Sequence, residues 1–464
     1  MNIILKMTNL FSKIFSIVIL IYLCIVYFFG CETNYTVIAI SCTIASTLLL
    51  WTRTNYNIYG VNAMVFYYMI LSQFGYVFSL VLFGSEANTR MVYSNGIVRT
   101  DNFTIAIIIS GLAVLLYSIS ATNGSHIKFK IREFKFSYFD KYEVCENFIF
   151  YSQISILLIQ LVISITTQFL FGDMLYSQRT ELLGEKYPII MYIYYFSECA
   201  MPLIIATGSK RKIAVATMVY IPIVALQFLS GNRGEVMYGV LIIIAILSLK
   251  YKNAINVRRI IIFIVLSIII LPTIASVREG GTFSFNGFSS QLSAFLSELG
   301  FQIVPTTYTV DYIDNTHNYQ FGATYLYDIV LRLAGILGCD TTSMRLSMAK
   351  VDNMLPDFGY GLGYSQVAES YYNFGLIGIG VEMFIISRLG LLFEKKIKDD
   401  IDGSLIIIYV CMAVNLVNIT RNKFDSTFIF LVYSFLIYFC NKVISGRQRK
   451  RIANDVHSNV FMEK

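Results

Sequence analysis

The sequence predicts an all-α, polytopic integral membrane protein with about twelve membrane-spanning helices and one long outer loop. Of 464 residues, 56% are hydrophobic and only 14% are charged, with a mean hydropathy of +0.64. Soluble domains carry about a quarter charged residues. Apolar runs of roughly 20 residues, the length that crosses a hydrocarbon core, recur along the whole chain. Six prolines and no Ser/Gly/Pro-rich tract leave no long disordered linkers. The net charge of +7 is scattered and forms no basic stripe, so the expected partner is the lipid bilayer, with no nucleic acid.

The expected spans are 10–29, 34–51, 60–84, 102–121, 148–171, 188–207, 213–229, 235–249, 260–277, 365–390, 404–420 and 424–441. Lys6 and Lys13 attend the first, but the run from Leu10 to Phe29 exceeds a signal-peptide core and no A-x-A-like site follows it, so it reads as a membrane helix. With both termini cytoplasmic, inner segments hold 24 of the 36 lysines and arginines and outer segments 11, as the positive-inside rule requires. Eight cysteines occur without a CxxC pair. Cys24, Cys42, Cys199, Cys411 and Cys440 fall in apolar spans and Cys145 in an inner loop, while Cys31 and Cys339 reach the outer side. That distribution reads as packing, with neither a disulfide framework nor a zinc site.

One segment departs from the short connections. Residues 1–277 hold nine spans, 278–364 form a large, mostly polar outer loop, 365–441 hold the last three spans and 442–464 form a basic tail. Within the loop, Phe288, Leu292, Phe295, Leu296, Leu299 and Ile303 repeat at helical spacing, as do Leu326, Ile329, Val330, Leu333 and Leu337. Both patterns predict amphipathic helices on, or dipping into, the outer leaflet. Long loops in compact proteins usually carry function, which places the working end here.

Three arginines stand at the same expected membrane depth. Arg233 lies in the turn Ser230-Gly231-Asn232-Arg233-Gly234-Glu235, too short to leave the membrane surface. Arg278 follows the ninth span, and Arg421 lies in Thr420-Arg421-Asn422-Lys423. A guanidinium fixed there suits a phosphate or diphosphate headgroup, which it grips with two parallel hydrogen bonds; a snorkelling helix anchor is the plainer role. Glu369, Tyr372 and Asn373 share a face at i, i+3 and i+4 near the start of the tenth span. A carboxylate there is costly unless it meets a cavity or a partner, and it could take a proton from an acceptor hydroxyl or pair with an outer arginine. Glu298 is a second candidate acid on the flank of the first loop helix, and His317, the one outer histidine, a candidate base. Gly375, Gly378 and Gly380 allow close helix packing. Asp328 and Arg332 read as a surface ion pair.

No Walker A, G-x-S-x-G or H-E-x-x-H motif occurs, and no outer Asp-x-Asp would seat a metal-bound diphosphate, so neither a metal nor any other cofactor is expected. Only Glu198 and Glu382 look intramembrane by depth, a thin set for an ion-coupled transporter.

The Ser-Gly-Asn-Arg233-Gly-Glu turn, the long outer loop, the Gly-x-Gly…Ala368-Glu369-x-Tyr371-x-Asn373-Phe374-Gly375 segment and the Thr420-Arg421-Asn422 turn together resemble the bacterial O-antigen polysaccharide polymerases. An Arg-x10-Gly pattern of some members is absent from the outer loops. The resemblance implies a metal-independent, multi-pass inner-membrane glycosyltransferase with a periplasmic active site, moving a growing glycan from undecaprenyl diphosphate onto a new lipid-linked repeat unit. A chain-length-determining co-polymerase is the implied protein partner. On that chemistry Arg233, Arg278 and Arg421 would stabilise the departing diphosphate. Glu369 would deprotonate the acceptor, which Tyr371, Tyr372 or Asn373 would position. An O-antigen ligase and a lipid-linked oligosaccharide flippase are the alternatives.

Overall fold

The computed structural model describes residues 2–30, 32–52, 57–84, 100–123, 145–171, 188–230, 233–251, 265, 268, 288–339, 364–399, 403–422, 424 and 426–462. The helices are α1 Asn2–Phe29, α2 Tyr35–Trp51, α3 Val61–Phe83, α4 Asp101–Asn123, α5 Glu146–Phe171, α6 Pro188–Thr207, α7 Lys210–Ser230, α8 Arg233–Lys250, α9 Phe288–Leu299, α10 Ile303–Thr316, α11 Ala323–Ile336, α12 Gln366–Asp399, α13 Ile406–Asn418 and α14 Ser426–Met462. The first eight expected spans thus each have their helix, and the chain is an all-α polytopic membrane protein. Seven described helices are long and apolar enough to cross a membrane, with shorter apolar helices at Tyr35–Trp51, Met237–Lys250 and Ile406–Asn418. The expected span 260–277 lies outside the described residues, apart from isolated positions.

Two compact units form. The first comprises Met1–Ile127, Ile255–Leu391 and Leu416–Ser426; the second comprises Lys128–Ala254, Leu392–Asn415 and Thr427–Lys464. In the second unit α5 packs on α6 and α7, and α6 on α8. Lys250 closes one end by donating from Nζ to the Ile205 and Gly208 carbonyls at 2.7 and 2.8 Å, a cation on the last turn of α6. Pro202 and Pro222 lie inside α6 and α7, as membrane helices tolerate.

The first unit positions the candidate site. Its α1 shows one row outward (Leu10, Phe11, Ile14, Ile17, Val18, Ile21, Ile25), an apolar surface suited to lipid, and buries Ile19, Leu23 and Val26. Asn34 caps α2, its side chain accepting from the Thr36 N–H. Chain ends sort as alternating crossings demand. Tyr27 near the end of α1 meets Tyr371, Tyr35 at the start of α2 meets Phe103 at the start of α4, and Ser79 near the end of α3 meets Ser293 and Ser297 of α9. At the opposite end Asn9 bonds the Thr52 carbonyl, while Ser387 Oγ bonds Ser120 and its carbonyl accepts from Asn62.

The first loop helix turns its small residues into the protein. α9, a 3-10 turn at Gly300–Gln302 and α10 run on as one bent helix that packs against α3 and α4. Ser293, Ser297 and Gly300 meet Gly75, Tyr76 and Ser79, the small-residue contact that lets membrane helices approach closely. A Cβ on Gly300 would fall 1.9 Å from the Tyr76 nitrogen, a backbone atom that cannot swing aside. Gly300→Ala should therefore destabilise the first unit by about 1–3 kcal/mol. The check is a thermal melt of purified protein in detergent. A melting point equal to wild type would remove this contact from the account.

Candidate functional site

The central element is a short helix within α12. Phe374 (φ −139°, ψ 15°) and Gly375 (φ 61°, ψ −146°) break α12, dividing 366–373 from the long remainder. Gly375 occupies a conformation that only glycine adopts without strain. In a straight helix Ser370 and Glu382 would stand about 18 Å apart, at 1.5 Å per residue. Here the Ser370 hydroxyl hydrogen-bonds Glu382 Oε2, and the Ser370 carbonyl lies 2.5 Å from where a Gly378 Cβ would be. The 366–373 helix therefore folds back on the head of the membrane-spanning part. The longer part of α12 runs on from Gly375 to Asp399. Gly375 and Gly378 serve the bend, whereas a Cβ on Gly380 would meet only Leu116 Cδ1, at 4.0 Å.

Breaking a helix strips hydrogen bonds from its ends, and other segments supply them. At the C-terminal end, Gln320 N–H donates to the Tyr372 carbonyl (3.1 Å) and Phe321 N–H to the Asn373 carbonyl (3.0 Å). Gly322 N–H donates to Asn373 Oδ1 at 2.8 Å. At the N-terminal end, Tyr364 N–H donates to the Arg421 carbonyl and Gln366 N–H to the Ile419 carbonyl, each at 3.2 Å. The segments 320–322 and 419–421 thus clamp this helix from both sides. Phe321 adopts φ 48°, a strained conformation for a bulky residue, and lies exposed against Phe374.

Glu369 is fully buried between these clamps. Its Oε1 accepts from Thr324 Oγ1 at 2.8 Å and its Oε2 from the Phe424 N–H at 2.7 Å. Asn373 Nδ2 donates to Thr324 Oγ1 (2.6 Å) and to the Glu369 carbonyl (2.8 Å), so Glu369 and Asn373 converge on one threonine. Thr324 opens α11, the second amphipathic pattern of the loop. A buried carboxylate costs free energy unless donors surround it, and Thr324 and Phe424 bring donors to it from two separate segments.

Arg421 is held beside that core. Gln302, fully buried in the 3-10 turn, satisfies both neighbours once its amide is turned so that the oxygen accepts from Arg421 Nε at 3.2 Å and the nitrogen donates to the Tyr364 carbonyl at 3.1 Å. Tyr364 in turn bonds Thr309 through its hydroxyl, 2.8 Å. Aromatic rings extend the site. Tyr371 shares a 2.9 Å hydroxyl–hydroxyl bond with Tyr27 and meets Tyr319 edge-on, and Tyr372 meets Tyr312 edge-on. Arg421, Glu369, Tyr371, Tyr372 and Asn373 thus share one polar, aromatic-walled core at the end of the first unit that carries α9–α11.

His317 and Glu298 fall at the end of α10 and on α9. His317 is exposed and ends α10 in the left-handed conformation (φ 52°), its N–H donating to the Ile313 carbonyl. Glu298 is half-buried on α9, next to Ser297. Neither takes part in the hydrogen bonds just described. Arg233 opens α8, but its side chain lies outside the described residues, as do all of Arg278 and the Asp328 and Arg332 side chains. Sequence reasoning missed Thr324, Gln302 and Tyr325. Gln302 did leave a signal, a buried-polar type set between Leu299 and Ile303 in an apolar row.

No solved structure matches the chain. It is 25% identical over 230 residues to Protein CapE of Staphylococcus aureus, covering 48% of this chain and 51% of that protein. The chain thus spans about half the length of that relative. Residues 12–446, nearly the whole chain, match one family as a unit, from within α1 into α14, and include the loop helices, the broken helix and the Arg421 turn. The chain belongs to the O-antigen polysaccharide polymerase Wzy family.

Proposed function

We propose that this chain polymerises a surface polysaccharide at the outer face of the bacterial plasma membrane. It would transfer a growing glycan from a polyprenyl diphosphate carrier, undecaprenyl diphosphate, onto the next lipid-linked repeat unit. One observation carries the reading: the arginine that such a transfer needs and a donor to the carboxylate it needs stand three residues apart, at Arg421 and Phe424. The Phe424 N–H binds Glu369. The transfer breaks a sugar–phosphate bond, so negative charge grows on the leaving diphosphate while the acceptor hydroxyl loses a proton. A guanidinium braced at Nε by Gln302 answers the first need. Glu369 answers the second through Thr324, whose hydroxyl already points its proton at Oε1. The acceptor hydroxyl donates to Thr324 Oγ1 as that proton passes to the carboxylate. Tyr371, Tyr372 and Asn373 would position the acceptor sugar. Arg233 and Arg278 would add to the diphosphate grip, and a chain-length-determining co-polymerase would act alongside.

The test is the size distribution of surface polysaccharide from a strain lacking this chain. Collapse of the ladder to a single repeat supports polymerisation. Loss of even the single repeat would indicate attachment or flipping, and an unchanged ladder would contradict the role. The orientation, with both termini cytoplasmic, has its own check. Cys339 is exposed beyond α11, so a membrane-impermeant maleimide should label it in intact spheroplasts. Labelling only after lysis would reverse the assignment of sides.

A further inference from the structure

We propose that Tyr325 and Glu382 are positioning residues that fix the break in α12 and thereby hold Glu369 in its reactive place. The proposal rests on the reading of Glu369 as the base. Thr324 and Tyr325 are consecutive in the first turn of α11, and each engages one carboxylate of α12 on opposite sides of the break. Thr324 binds Glu369 before Gly375, and Tyr325 donates its hydroxyl to Glu382 Oε2 at 2.7 Å after it. Ser370, one residue from Glu369, donates to the same Oε2. A single carboxylate oxygen therefore ties together the short helix, the membrane-spanning helix and the loop helix.

The Tyr325 ring completes the linkage. It packs edge-on against Phe424 at 5.3 Å between centroids, and Phe424 is the residue whose N–H binds Glu369 Oε2. Thr324 and Phe424, which both donate to Glu369, are thus adjacent to Tyr325, one in sequence and one in space. Burial, with the Glu382 charge next, pushes the Tyr325 phenol far above its usual range, so it remains a proton donor at any physiological pH. Glu382 Oε1 is covered and meets no donor among the described residues. An apolar side chain would serve a helix that had only to cross lipid, and a half-satisfied carboxylate is expensive there. The cost is explained if Oε2 is needed to set the bend.

The experiment uses purified full-length protein with Tyr325→Phe, Glu382→Ala, Glu382→Gln and the Tyr325→Phe/Glu382→Ala pair. Tyr325→Phe keeps the ring against Phe424 and removes only the hydroxyl. Hydrogen exchange is read on the peptide covering 318–325, whose amides at Gln320, Phe321 and Gly322 cap the short helix. Chain growth is read with lipid-linked repeat units extracted from the deletion strain. Exchange should quicken at least about tenfold in Tyr325→Phe and Glu382→Ala, and kcat should fall about 10²-fold with little change in KM, as for misplacement of a reacting group. The pair should be no worse than either single change, because both act through one link. Glu382→Gln keeps an acceptor oxygen for the tyrosine and should restore most of both readouts. Unchanged exchange in Tyr325→Phe and Glu382→Ala overturns the proposal, as does quickened exchange with full activity. If Glu369→Gln is fully active, the reading of Glu369 fails instead, while the exchange result still reports on the link.

Discussion

Glu369→Gln is expected to abolish chain growth while the protein still inserts and folds. The amide is nearly isosteric and its oxygen still accepts one of the two hydrogen bonds that Glu369 receives from Thr324 and Phe424. What it cannot do is take up a proton. Removing a positioned general base costs about 10²–10⁴-fold in rate, and the loss should fall on kcat. Glu369→Ala should behave differently. It leaves the Thr324 hydroxyl and the Phe424 N–H buried without an acceptor, at about 1–3 kcal/mol for each orphaned group, so its melting point should drop as well. A glutamine variant that polymerises normally, with an alanine variant that merely melts early, would make Glu369 a structural clamp and not a base.

Arg421→Lys is expected to be almost as damaging as Arg421→Ala. Arginine can bond Gln302 through Nε and still direct its terminal nitrogens at a diphosphate, whereas lysine has one nitrogen for both tasks. Loss of a donor aimed at developing charge costs about 10²–10³-fold in kcat. The measurement is single-turnover transfer from the lipid diphosphate donor, with membrane insertion checked in parallel. Full activity of the lysine variant would show that only a diffuse positive charge is required.

The crossings were legible because hydrocarbon thickness imposes a length on each apolar run, and α2 at Tyr35–Trp51 against an expected 34–51 shows how narrowly. Glu369 and Arg421 were legible as types, a carboxylate and a guanidinium at membrane depth. Their surroundings were not. The donor to Glu369 Oε1 comes from a residue 45 positions away and the donor to Oε2 from one 55 positions away, separations that leave no periodic trace. The break at Gly375 was read as a packing glycine, because a positive φ inside an apolar helix is set by tertiary contacts with 320–322 and not by local pattern. The apolar row of α9 was seen, but the decisive contact runs along Ser293, Ser297 and Gly300, small residues that a search for amphipathicity passes over.

The most direct test of the central claim is reconstitution. Purified wild-type protein and its Arg421→Ala variant are each supplied with lipid-linked repeat units extracted from the deletion strain, and the products are separated by size. The expected result is a ladder of integral multiples of the repeat from wild type and only the single unit from the variant. A single unit from wild type, with extracted material that is polymerised by membranes containing this chain, would contradict polymerisation by this chain alone. A full ladder from both would contradict the site.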